Sequence, residues 1–168
     1  MNEIINKIAG SDLKIIDLAD FSDTSERLFF DLNDLLFQGQ ILRENDFRKF
    51  IANHDWTFYE GKNIAIGCSV DAVIPAWAYM LLVTKMQPFA GKIIIGDLEM
   101  LENEIFRDAI SSLPLNEFEN AKIIIKGCGE VPIPDFAFAE ITRVLRPVAS
   151  SIMYGEPCST VPIYKKSR

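Results

Sequence analysis

The sequence has few cationic side chains and only one histidine. Lys and Arg together number 17, against 24 Asp and Glu, which gives a formal net charge of −7. Because binding to a phosphate backbone needs clustered Lys and Arg, this balance argues against a general nucleic-acid-binding protein. The histidine, His54, invites a catalytic or metal-binding role, but its position at the end of a predicted helix favours a role in satisfying a terminal carbonyl.

The sequence also lacks a long apolar run. The longest uncharged stretch, Ala72 to Thr84, is well short of the roughly 20 residues that a membrane-spanning helix needs. The N-terminal residues show no secretory signal. We therefore expect a cytoplasmic protein with no membrane association. Since cytosolic thiols are normally reduced, the three cysteines predict free thiols or thiolates rather than a disulfide framework.

Familiar catalytic and nucleotide-binding motifs are missing as well. The chain contains no GxGxxG, GxxxxGK[ST] or GxSxG. Dinucleotide-binding, nucleoside-triphosphate-binding and serine-hydrolase functions therefore have no support in the sequence. No set of residues defines a reaction, and whether the protein is an enzyme stays open.

The chain does contain an alternation of short β-branched runs with helical patterns. Such runs are typical of parallel strands that helices cover on both faces. The pattern predicts an α/β fold, a three-layer mixed sheet with a parallel βαβαβ core, in which the order 2-1-3 is favoured. The predicted strands are Asn63–Gly67, Lys92–Gly96 and Lys122–Gly127, and the predicted helices are Asp71–Met86, Leu98–Ser112 and Pro134–Met153.

The first 60 residues predict an antiparallel extension of this sheet. Apolar segments at Leu13–Leu18 and Leu28–Leu32 flank the turn-forming residues 22–25, so an antiparallel hairpin is the simplest connection. A strand with a break at Gly39 and a short helix, Asp46–Asn53, follow. We predict one domain over residues 1–168, with the extension in 1–60 and the core and tail in 61–168. Apart from the α/β alternation, the sequence shows no internal repeat.

The C-terminal tail is rich in Gly and Pro. It predicts a loop, Gly155–Ser159, followed by a short edge strand, Val161–Tyr164, in which Pro162 is acceptable. The loop contains the third cysteine, Cys158.

Cys68, Asp97 and Cys128 each follow a predicted parallel strand. Ligands of open α/β sheets bind beyond the carboxyl ends of the strands. In the order 2-1-3, Cys68 and Cys128 would be neighbours, and the loop of Cys158 would fold back over them. Three thiolates with one further ligand predict a zinc site or an iron–sulfur cluster. The fourth ligand would be Asp97, with Asp71 and Glu156 as alternatives.

Two other functions compete with metal binding. Cys68 or Cys128, placed at a helix N-terminus, would be a low-pKa thiol of a redox or sulfur-carrying enzyme. Alternatively, the cysteines are structural, and the protein is a homodimer whose N-terminal strands provide the apolar interface. A small-molecule ligand is not identified by the sequence.

Several segments resemble an uncharacterised bacterial family, catalogued as domain of unknown function 2480. The resemblance covers nearly the whole chain and has no established activity to transfer. It rests on Cys68-Ser-Val-Asp-Ala72, Pro75-Ala-Trp-Ala-Tyr-Met80, Lys126-Gly-Cys128 and Met153-Tyr-Gly-Glu-Pro-Cys-Ser-Thr-Val-Pro162, with Leu36-Phe-Gln-Gly39 and His54-Asp-Trp56.

Overall fold

The computed structural model describes residues 13–127 and 129–167. The α/β class and the mixed sheet are confirmed, because parallel strands and helices alternate and one strand pair is antiparallel. Cys128 lies outside the described residues. The strands are β1 Leu13–Asp17, β2 Arg27–Asp31, β3 Asn63–Gly67, β4 Lys92–Ile95, β5 Lys122–Lys126, β6 Ser151–Glu156 and β7 Ser159–Lys165, and the helices are α1 Glu44–Asn53, α2 Ala76–Met86, α3 Leu98–Ser111 and α4 Asp135–Leu145.

The strands form two sheets, and this differs from the predicted single core. One sheet has the order β1-β5-β6-β7 and the other β2-β3-β4. Strands β3 and β4 pair in parallel as predicted, but β5 belongs to the other sheet, so the three strands do not share a 2-1-3 order. The β-branched runs identify strands buried on both faces, but they do not identify which strands are neighbours.

The N-terminal strands are parallel rather than an antiparallel hairpin. Strand β1 pairs with β5 and β2 pairs with β3. Each runs directly into a 3₁₀ turn, Leu18–Phe21 or Leu32–Leu35. The carboxylates of Asp17 and Asp31 cap these turns by accepting amide hydrogen bonds. Because β1 and β2 belong to different sheets, residues 22–26 connect two sheets and do not form a hairpin turn.

Helix boundaries depart from prediction where proline is present. Helix α2 begins at Ala76, directly after Pro75, and not at Asp71. Helix α4 ends at Leu145, two residues before Pro147, so the helix predicted to Met153 overlaps the first three residues of β6. Pro75 disfavours helical backbone in the residue before it, which accounts for the start of α2. Pro147 has no N–H to continue the helical hydrogen bonds, which accounts for the end of α4.

The tail forms a complete strand pair. The predicted edge strand is confirmed as β7, which is longer than expected and pairs antiparallel with β6 across a turn at residues 157–158. The segment predicted as a strand broken at Gly39 contains a tight turn. Phe37 and Ile41 form an isolated bridge, and Gln38 and Gly39 have φ of 53° and 68°.

The described chain divides into two compact units. The contiguous unit is Thr24–Glu102, and the split unit combines Met1–Asp23 with Asn103–Arg168. Each has its own core, in which one face of a central strand packs on a helix. In the contiguous unit Ile64 and Ile66 meet Leu82 and Met86. In the split unit Ile123 and Ile125 meet Ile141 and Leu145. The single-domain assignment of residues 1–168 stays a prediction.

The two units repeat one arrangement, which corrects the expectation of no internal repeat. Each has the order strand, 3₁₀ turn, helix, 3₁₀ turn, strand, helix, strand. From the second 3₁₀ turn onward the positions correspond at a constant offset of 59 residues. The corresponding pairs are Trp56–Tyr59 with Leu115–Phe118, β3 with β5, Pro75 with Pro134, α2 with α4, and Gly96 with Gly155.

Candidate functional site

The carboxyl end of β2 has a hydrogen-bonded aspartate that joins it to the end of β3. Asp31 Oδ1 accepts the amide hydrogens of Asn33 and Ser69 at 2.9 and 3.0 Å. Burial acts to raise the pKa of Asp31, but hydrogen bonds from the Ser69 side chain and from both amides outweigh it, so the pKa is lowered. This carboxylate stabilises the strand ends.

Cys68 is half-buried against the core of the contiguous unit. It was predicted to lie close to a helix N-terminus, but seven residues separate it from Ala76, where α2 begins. Burial raises the pKa of Tyr79, and an electrostatic interaction with Cys68 raises it further. The activation of this thiol by a helix N-terminus stays a prediction.

Asp97 and Asp71 were each proposed as a fourth metal ligand, and the structure gives the environment of both. Asp97 Oδ1 accepts the amide hydrogen of Met100 at 2.8 Å and so caps the first turn of α3. Asp71 is exposed in the loop before α2. Among the described residues, no group of three His, Cys, Asp or Glu side chains is placed to hold a metal ion.

The other two cysteines follow neighbouring strands of the split unit. Cys128 comes shortly after β5, and Cys158 is exposed in the turn between β6 and β7. Glu156, at the end of β6, forms an ion pair with Lys126 at 3.1 Å, which joins the ends of β5 and β6. Cys68 belongs to the contiguous unit, so the expected adjacency of Cys68 and Cys128 in one sheet is wrong.

His54 has a structural environment. Its backbone N–H donates to the Phe50 carbonyl at the end of α1, and its Nε2 lies 2.9 Å from the Tyr59 hydroxyl. The imidazole centroid is 4.7 Å from the rings of Phe50 and Trp56. Burial raises the pKa of Tyr59 to about 12. The position at the helix end agrees with the favoured structural interpretation, although the backbone N–H, not the side chain, satisfies the carbonyl.

A pocket of about 360 Å³ is lined by residues of α4 and of strands β5, β6 and β7 in the split unit. Phe138 and Tyr154 meet in it edge to face, with ring centroids 5.6 Å apart. Besides Tyr154, two lining side chains bear oxygen: Asp135, the exposed first residue of α4, and Thr142. The lining residues are Ile125, Asp135, Phe138, Thr142, Tyr154 and Ile163.

The fold explains why these side chains converge. Asp135, Phe138 and Thr142 are spaced by three and four residues, so they share one face of α4. Ile125 and Tyr154 are direct partners in the register of β5 and β6. The helical spacing was visible in the sequence, but the partners from β6 and β7 were not, because the segment of β6 was predicted as helix.

The contiguous unit has no equivalent set of polar side chains. At the offset of 59 residues, Ala76 replaces Asp135 and Val83 replaces Thr142. Strand β4, which corresponds to β6, has no further strand beyond it in the described chain, so nothing corresponds to Ile163 of β7. The two units have therefore diverged at the pocket while their backbones have stayed similar.

These features define an α/β protein of two units with the same order of elements, with a pocket between α4 and the sheet of the split unit. The chain belongs to the family described as Protein of unknown function (DUF2480), whose profile matches residues 2–166. No curated protein and no solved structure matches it. In the part of the chain that the structure describes, no helix is both long and apolar enough to cross a bilayer.

Proposed function

We propose that the protein binds a small molecule in the pocket of the split unit. The observation that carries the proposal is a difference between the two units: Asp135 and Thr142 line the pocket of the split unit, and Ala76 and Val83 occupy the corresponding positions of the contiguous unit. The volume of about 360 Å³ lies within the range of small-ligand sites.

The chemistry of the lining supports a ligand with an apolar body and a cationic or hydrogen-bond-donating head. Ile125, Phe138 and Ile163 offer apolar contact. The Thr142 hydroxyl donates to the Phe138 carbonyl at 2.7 Å, so its oxygen is left as an acceptor. Asp135 supplies a carboxylate, which also satisfies the positive end of the helix dipole of α4. A carboxylate or phosphate ligand would meet repulsion from Asp135.

Binding of 2-phenylethylamine tests the proposal, with phenylacetate and 2-phenylethanol as probes of the same shape. We expect NMR shifts at Phe138 and Tyr154 with the amine, weaker shifts with the alcohol and none with the acid. Asp135→Asn is expected to weaken amine binding about fivefold, the worth of one partly exposed ion pair. The matched control is Asp71→Asn, an exposed aspartate in the corresponding loop of the contiguous unit. Equal binding of amine and acid would contradict the proposal.

Metal binding is a second candidate, in a form different from the predicted one. The ion pair between Lys126 and Glu156 supports proximity of the strand ends that precede Cys128 and Cys158. A zinc ion or an iron–sulfur cluster would therefore use these two thiolates and not Cys68. Elemental analysis of anaerobically purified protein is the test. Metal lost in Cys128→Ser and Cys158→Ser but retained in Cys68→Ser is the expected result, and metal-free wild type would end this candidate.

A thiol enzyme remains a prediction for Cys68 and Cys128. Its test is the alkylation rate of each thiol in the folded protein, since a nucleophilic thiolate reacts faster than a buried thiol.

A further inference from the structure

The two units differ in whether a further strand pairs with corresponding sheet edges. In the split unit, β7 covers the edge of β6, with Tyr154 opposite Val161 and Gly155 opposite Thr160. In the contiguous unit, β4 corresponds to β6, and no strand of the described chain lies beyond it. The split unit thus shows that an antiparallel strand can pair with the edge that corresponds to β4.

The backbone groups that such a strand would use can be assigned. The Gly96 amide donates to the Ile66 carbonyl at 2.9 Å, so Gly96 faces β3. Because backbone groups alternate in direction along a strand, the N–H and C=O groups of Ile93 and Ile95 face the other way, toward the open edge.

Strand β4 lacks the features that protect an edge from pairing. The outermost strand of the other sheet, β7, contains Pro162 and ends in Lys165. Strand β4 is Lys-Ile-Ile-Ile, with its only charge at the first residue. The exposed fraction of Ile95 is 45%, and Leu98 and Met100, which follow, are 44% and 51% exposed. Natural proteins usually protect an edge of this kind with charge or proline.

We infer that β4 pairs antiparallel with β4 of a second copy of this chain, which would join two three-stranded sheets into one of six strands. A two-fold axis makes a strand antiparallel to its own copy, and the interface uses the same residues on both sides. Antiparallel pairing about a two-fold axis at Ile95 places each copy of that residue opposite the other. It also covers both copies of Ile95 at once. This differs from the dimer expected from the sequence, which used the N-terminal strands.

Sedimentation equilibrium of the full chain tests the inference with two substitutions at one position. Ile95→Pro removes an amide that faces the edge and not β3, and Ile95→Lys places like charges opposite each other. Each is expected to raise the dimer Kd about tenfold or more. The matched control is Val161→Lys on β7, where the exposed fraction is 57%; it should leave the dimer intact. A wild-type monomer at about 100 µM, or a dimer that both Ile95 variants retain, would overturn the inference.

Hydrogen exchange of the wild type gives a test that does not depend on folding of the variants. The amides of Ile93 and Ile95 are expected to exchange more slowly as protein concentration rises through the dimer Kd, while those of β7 stay unchanged. Concentration-dependent protection of β7 instead of β4 would contradict the inference.

Discussion

Gly61 and Asn120 have the same left-handed backbone conformation at corresponding positions of the two units. Their φ values are 68° and 55°, and each follows a 3₁₀ turn and precedes a central strand, β3 or β5. Gly adopts this conformation without steric cost, and Asn is among the few other residues that tolerate it. The two units therefore form the same turn with different residues.

Substitution of Asn120 measures the strain in this turn. Asn120→Gly is expected to raise the free energy of unfolding by about 0.5 kcal/mol, and Asn120→Ala to lower it by about 1 kcal/mol. Gly61→Ala should also lower it by about 1 kcal/mol. Urea denaturation measures all three. Equal stability of the Gly and Ala variants at residue 120 would show that backbone conformation is not what limits this position.

Asp31 should make stability depend on pH at the acid end. Its pKa is lower in the folded protein than the ordinary value of 3.8, so its contribution is complete above that value and is lost as pH falls through the folded pKa. Asp31→Asn is expected to cost about 1–2 kcal/mol at pH 7, from the loss of charge-assisted hydrogen bonds to Asn33 and Ser69. The cost should shrink as the pH falls below about 4. A cost that is the same at pH 7 and pH 3 would refute this account.

Gly67 is required where the Phe29 ring and the backbone of Gly96 approach closely. A Cβ at this position would lie 2.8 Å from the Phe29 ring and 2.9 Å from the Gly96 carbonyl oxygen. Because a backbone oxygen cannot move aside easily, Gly67→Ala is expected to cost about 1–3 kcal/mol in thermal or urea unfolding. Gly129→Ala is the control, since nothing lies within 4 Å of its added Cβ. Similar losses in both variants would argue against the steric explanation.

The His54–Tyr59 hydrogen bond can be tested by deleting one oxygen. Tyr59→Phe keeps the ring packed against Trp56 and removes the hydroxyl 2.9 Å from Nε2, with an expected cost of about 1 kcal/mol. Absorbance near 295 nm follows tyrosine ionisation, and the component that titrates near pH 12 should vanish in the variant. If that component persists, it belongs to another tyrosine.

The sequence predicted the α/β class and the buried strands because their signals are local. The Ile-rich runs of β3 and β5 need no knowledge of distant residues. Sheet membership could not be read in this way, because β1 finds its partner β5 more than a hundred residues later. The repeat was hidden for a related reason: Cys68 corresponds to Gly127 and not to Cys128, so matching the cysteines gives the wrong offset.

The pocket was missed because Tyr154 belongs to a strand, β6, that the sequence did not predict. Asp135 and Thr142 lie at helical spacing, and the sequence placed both on a helix. Tyr154 and Ile163 complete the lining only because the chain after Pro147 forms β6 and β7. A helix predicted to Met153 leaves no strand to carry Tyr154.

The insertion of one unit within the other has a consequence for synthesis on the ribosome. All three strands of the contiguous unit have been synthesised once Ile95 is made, whereas β1 has no partner until β5 follows. Pairing of β1 with β5 has the greatest sequence separation of the strand pairs that the structure describes, and contacts of high sequence separation form slowly. Pulse-labelled refolding is expected to protect β3 before β1. Until β5 is made, β1 is an unpaired strand, and Lys14 and Asp17 give it charges that disfavour pairing with another chain.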